Sequence, residues 1–88
     1  MVDHSCDEET IHQIINLVQS TENVLRIDEL KTRIFGSKIY VDLEIGVNGT
    51  MTLNDSHAIA ENVHDKIEKN ISNCAHCMVH VNPCPTDL

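Results

Sequence analysis

Aromatic residues are almost missing from this 88-residue chain, which has one Phe, one Tyr and no Trp. Its core must be built from Ile, Val and Leu, and it offers no stacking platform for nucleic-acid bases. Positive charge is equally scarce, with six Lys and Arg against fourteen Asp and Glu and a formal net charge of −8. A nucleic-acid surface needs clustered Lys and Arg to displace counterions from phosphates, so nucleic acid is excluded as a partner. An anionic membrane surface is disfavoured for the same reason, whereas a divalent cation is favoured. With only three Gly there is no Gly-rich phosphate loop, and no Ser or Cys sits in a recognisable nucleophile motif. So thin a domain leaves little room for a water-excluding pocket, and neither an enzyme nor a small-molecule substrate is expected. No apolar run approaches the roughly 18 to 20 residues that span a bilayer. The start, Met1-Val2-Asp3-His4, is neither a signal peptide nor a basic transit segment.

What is present reads as a single domain over residues 1–88, 41% apolar and so globular rather than disordered. A chain of this size buries only about three fifths of its surface on folding, so a bound metal or a second copy would add needed stability. Without a secretory signal the four cysteines, Cys6, Cys74, Cys77 and Cys84, are expected reduced, as free thiols or metal ligands.

Ser5-Cys6-Asp7-Glu8 fits a capping box, and Ile11, Ile14, Ile15 and Val18 follow at the spacing of one helical face. The first helix is therefore expected over Cys6 to Gln19. Val24 to Ile34 reads as a strand with an irregularity near Asp28-Glu29. After the Gly36-Ser37 turn, Ile39, Val41, Leu43, Ile45 and Val47 alternate with polar residues in the clearest strand of the sequence. Start signals over Thr52 to Asp55 open a second helix, with Ile59, Ala60, Val63, Ile67 and Ile71 on its apolar side, ending near Asn73. Cys77, Val79 and Val81 alternate with His76, Met78 and His80 in a short last strand stopped by Pro83 and Pro85. The order predicts an α+β fold, a two-layer αββαβ sandwich that is ferredoxin-like but lacks the first strand, with a right-handed crossover into the third strand.

Six His in 88 residues is an unusually high content, and imidazole with carboxylate is ligand chemistry for zinc and its neighbours. His57, Glu61, His64 and Glu68 recur along one line of the second helix, which is either a cation-holding line or a solvated face. Asp42 and His80 point away from the Val and Ile rows of their strands. The Cys74-x-x-Cys77 pair can chelate zinc or cycle as a redox dithiol, but it opens a strand rather than a helix, and alternation turns Cys77 inward as a small core residue. Asp3-His4-Ser5-Cys6 reads either as an adventitious metal site or as a frayed end and helix cap, and His12 as exposed.

Asp28-Glu29-Leu30-Lys31-Thr32-Arg33-Ile34-Phe35-Gly36, Ile39-Tyr40-Val41-Asp42-Leu43-Glu44, Ser56-His57-Ala58-Ile59-Ala60 and Val79-His80-Val81-Asn82-Pro83 together resemble the C-terminal domain of the cation diffusion facilitators. The resemblance covers about Asp3 to Cys84. It implies a regulatory domain on the cytoplasmic side of the cell membrane, attached to the transmembrane domain of a zinc or manganese exporter that would precede Met1. It further implies a homodimer that binds Zn2+ or Mn2+ and couples occupancy to transporter conformation. By position, the resemblance assigns metal ligation to His57, His80, Asp42 and Asp28, while Cys84 of the Cys- and His-rich tail and His64 of the helical line are secondary candidates. Asn82 stands where some zinc-exporting members carry Asp, and an amide is a poorer ligand than a carboxylate. The competing expectations are a structural dimerisation domain that needs no metal, a free-standing metal chaperone, and a thiol redox module.

Overall fold

The computed structural model describes residues 2–4 and 6–85, with side chains described from Cys6 onward. Its elements are β1 (Val2–His4), α1 (Glu8–Gln19), β2 (Arg26–Phe35), β3 (Lys38–Asn48), α2 (Leu53–Asn70) and β4 (Cys74–Cys84). The sheet order is β1-β2-β3-β4. β2 and β3 form an antiparallel hairpin, and β4 runs parallel to β3 after the α2 crossover. In a complete ferredoxin-like fold a first strand would separate β3 from β4. Here the two pair directly, which is the expected αββαβ sandwich lacking that strand. The three residues of β1, not foreseen from the sequence, pair parallel to β2 at the far edge of the sheet.

Both helices cover the same face of the sheet. Ile11, Ile14 and Val18 of α1 and Ile59, Val63 and Ile67 of α2 meet Leu30, Val41, Leu43 and Ile45 in one core. Each such side chain, fully buried, contributes roughly 1.5–3 kcal/mol relative to exposure. Among the described residues no helix packs on the opposite face of the sheet, so alternate residues of β2, β3 and β4 form a bare surface.

Several element ends differ from the sequence reading. α1 starts at Glu8 rather than Cys6, because Asp7 is the cap and its carboxylate accepts the Thr10 N–H at 2.9 Å. Thr52 caps α2 by accepting the Asp55 N–H at 3.1 Å. The helix stops at Asn70, short of Asn73, as Ile71 turns extended. β4 is longer than expected at both ends. It passes through Pro83 because an edge strand carries a ladder on one side only and accommodates a proline there. At the β2–β3 turn Gly36 adopts φ 61°, the left-handed conformation that a two-residue hairpin loop favours. Among the described residues no helix is long and apolar enough to cross a membrane. The Asp3-His4-Ser5-Cys6 reading lies largely outside the described side chains.

Candidate metal-binding face

Strand alternation decides which groups reach the bare face. Residues paired across a ladder share a side, so Lys31 and Asp42, Glu29 and Glu44, and Arg26 and Gly46 of the hairpin are joined there by Met78, His80 and Asn82 of β4. The irregularity expected near Asp28-Glu29 is present: the β2–β3 register shifts between Ile27 and Glu29, leaving Asp28 as the extra residue of a bulge.

Three groupings result. In the first, His80 Nε2 lies 3.5 Å from Asp42 Oδ1, with both side chains about half exposed. Lys31, opposite Asp42 in the ladder, turns its ammonium to Glu29 at 3.9 Å and leaves the Asp42 carboxylate to the imidazole. Two ligand atoms about 2.1 Å from a tetrahedral ion stand about 3.4 Å apart, so the separation of this nitrogen and oxygen suits a shared cation. In the second grouping, Asn82 Nδ2 donates to Asp28 Oδ2 at 2.9 Å and to Glu44 Oε1 at 3.0 Å. Arg26 Nε donates to Asp28 Oδ1. The Arg26 guanidinium first, and the Asn82 amide second, hold the Asp28 carboxyl below its ordinary pKa. The third is apolar: the Phe35 ring meets Tyr40 edge-on at 5.3 Å, Tyr40 lies 6.1 Å from His76, and Met78 is exposed beside them.

The remaining candidate ligands are dispersed. His57 is exposed in the first turns of α2, lining a cleft of about 580 Å³ with Met51, Leu53, Val79, Val81 and Pro83. His80 borders the same cleft, but its imidazole partners Asp42 on the bare face. His64 approaches Glu68 at 3.4 Å and Asp65 at 3.6 Å, so the helical line expected to run from His57 to Glu68 divides into separate local contacts. Cys84 is buried rather than available. Its thiol lies over Gly46, next to Arg26. Among the described residues no three His, Cys, Asp or Glu side chains are placed to hold one ion, so the ligands expected from the sequence do not converge within a single copy.

On the helix side, a second register shift at Ile39/Tyr40 makes Ala75 an extra residue, and Cys74 and Cys77 pair with the inward residues Ile39 and Val41. Burial raises both thiols, Cys77 to about 12, so Cys77 is the core residue that alternation predicts. Glu44 and Arg26 escaped the sequence reading, although Glu44 follows Asp42 at the strand period and that spacing was a usable signal.

Comparison with known proteins gives a consistent picture. The family described as "Cation efflux protein, cytoplasmic domain" matches residues 6–84. The uncharacterized transporter YdbO of Bacillus subtilis (strain 168) is 34% identical over 80 residues, covering 91% of this chain and 26% of YdbO. The manganese efflux system protein MneP of the same organism is 25% identical over 83 residues, covering 94% of this chain and 28% of MneP. This chain thus spans about a quarter of the length of these relatives. A nickel form of the MamM CTD superposes with a TM-score of 0.86 at 22% identity, covering 90% of this chain and 100% of that one, a likeness of fold.

Proposed function

We propose a function that proceeds from one premise: this chain belongs to the family of the cytoplasmic domains of cation efflux proteins. That is a family of transporter domains rather than of enzymes. On this reading the domain forms a homodimer, works with the transmembrane part of the same transporter, and binds a divalent cation whose occupancy sets how the two copies lie. The Asp42–His80 pair carries the reading. An imidazole nitrogen and a carboxylate oxygen converge on a face that no described helix covers, at a separation suited to one ion. Two ligands leave coordination positions for water or for a second copy meeting the same face. Two protomers of formal charge −8 repel, and a cation held between them offsets that repulsion and favours the closed arrangement.

One imidazole with one carboxylate suits both Zn2+ and Mn2+, and MneP is a manganese efflux protein. Zinc is expected to bind more tightly in vitro whichever ion is exported, following the general order of divalent affinities.

A second reading, a dimerisation domain indifferent to metal, draws on the scattered ligands and the exposed Phe35, Tyr40 and Met78. Sedimentation and small-angle scattering of the chelated protein, then of the protein titrated with Zn2+ and Mn2+ alongside calorimetry, separate the two. A dimer that compacts with at least one ion per protomer supports the cation reading. A dimer unmoved by either ion supports the structural one, and a monomer under all conditions defeats both.

A further inference from the structure

Asp28 and Glu44 approach each other on neighbouring strands, and two carboxylates in such a position repel unless a proton, a cation or hydrogen-bond donors lie between them. This chain supplies the positive end of dipoles instead. The Asn82 amide has two N–H donors, and its nitrogen reaches one carboxylate at 2.9 Å and the other at 3.0 Å. Arg26 adds a full positive charge on the far oxygen of Asp28. The local backbone prepares the arrangement. The bulge at Asp28 displaces that residue from the regular ladder, and Gly46, partner of both Arg26 and Asn82, leaves the space above β3 to the side chains of Arg26 and Cys84.

We infer that Asn82 and Arg26 act as a built-in counter-ion that closes the Asp28–Glu44 carboxylate pair to divalent cations, so that Asn82 sets how many ions this face takes up. The inference uses none of the Asp42–His80 ligands. It also removes Asp28 from the ligand set, because its two oxygens already accept from a guanidinium and an amide. An amide nitrogen cannot coordinate a hard cation, but its donors satisfy the same lone pairs. Asn82→Asp keeps the shape and exchanges both donors for an anionic oxygen. It leaves three carboxylates against one guanidinium, a set suited to an oxygen-preferring ion such as Mn2+ or Ca2+.

The test is calorimetric titration with Mn2+, with melting curves in chelator and in Ca2+, on the wild type, Asn82→Asp, Glu44→Gln, and Asn82→Asp combined with Asp42→Asn and His80→Ala. Glu44→Gln is expected to leave the wild-type Mn2+ stoichiometry unchanged. Asn82→Asp is expected to gain one Mn2+ per protomer, to keep it in the combined variant, and to melt lower in chelator and recover with Ca2+. Wild type that fails to bind Mn2+ beside an Asn82→Asp variant that gains an ion would remove Mn2+ from the Asp42–His80 reading and leave this one standing. Loss of an ion from wild type on Glu44→Gln, or no additional ion in Asn82→Asp, overturns the inference. An Asn82→Asp chain unfolded in chelator that folds on adding Mn2+ supports it, and one unfolded in both overturns it.

Discussion

His80 does not stand opposite Asp42 in the β3–β4 ladder; its ladder partner is Glu44, and the imidazole reaches back two positions to place Nε2 3.5 Å from Asp42 Oδ1. Diagonal pairs on one sheet face lie within reach of long side chains, and Met78, the residue opposite Asp42, carries no charge of its own. The pair therefore exists only in this register. If it holds the cation, His80→Ala and Asp42→Asn each weaken Mn2+ and Zn2+ binding by at least about tenfold, since even outer-shell changes at metal sites cost roughly 10–100-fold. Both residues are half exposed, so melting temperature in chelator should stay near wild type. Calorimetry checks both, and unchanged affinity in the double variant removes the pair from the site.

Gly46 fixes the packing beneath Arg26. A Cβ at this position would lie 2.6 Å from Cys84 Sγ and 2.8 Å from Arg26 Cγ. The exposed guanidinium can swing away, but the buried thiol cannot. Gly46→Ala should therefore destabilise the domain by about 1–3 kcal/mol, the usual cost of forcing atoms into a filled space. Adding Cys84→Ala should return part of that loss. Urea unfolding of the two variants decides it: a Gly46→Ala protein as stable as wild type would show that the strand yields at this point.

The two helices and β3 were legible because their signal is local. Ile39, Val41, Leu43, Ile45 and Val47 alternate without a break, and the mixed pattern around Asp28 did mark a real bulge. β4 was only partly legible, since the extra residue Ala75 breaks alternation and hides the fact that Cys74 and Cys77 face the same side. β1 has three residues, too few for any period. The Asn82 contacts to Asp28 and Glu44 span 54 and 38 residues and depend on a register set by the α2 crossover, which no local pattern encodes. Asp42 and His80 were nameable as outward polar residues, and their approach to each other was not.

Cys77 gives the fold a dependence on alkaline pH. Burial, and then the negative charges of Cys74, Glu68 and Asp42, move its thiol from an ordinary 9.0 to about 12. A group whose folded pKa is raised binds its proton longer in the folded state. Its stabilising contribution is complete below about pH 9 and is lost as pH climbs toward 12. Melting temperature should fall across that interval, and Cys77→Ala should flatten the fall. Because the thiolate is the reactive form, Cys77 should resist iodoacetamide at pH 8 in the folded protein and react after denaturation. Rapid alkylation in the folded state would contradict the burial.

Phe35, Tyr40 and Met78 are 59%, 38% and 43% exposed on the face that no helix covers. Phe35 and Tyr40 hold each other edge-on, so the strip is preformed, and covering it would remove apolar surface from water without reordering the rings. If a second copy covers it, the contact is symmetric and any substitution there is felt twice. Met78→Glu would then place two carboxylates at one interface and raise the protomer charge from −8 to about −9, opposing association. The dimer dissociation constant should rise by at least about tenfold, equivalent to about 1.4 kcal/mol, while the fold survives because Met78 lies outside the hydrophobic core. Sedimentation over a concentration series reads this directly. A Met78→Glu protein that dimerises as tightly as wild type would place the interface elsewhere, and the β4 edge would become the surface to substitute next.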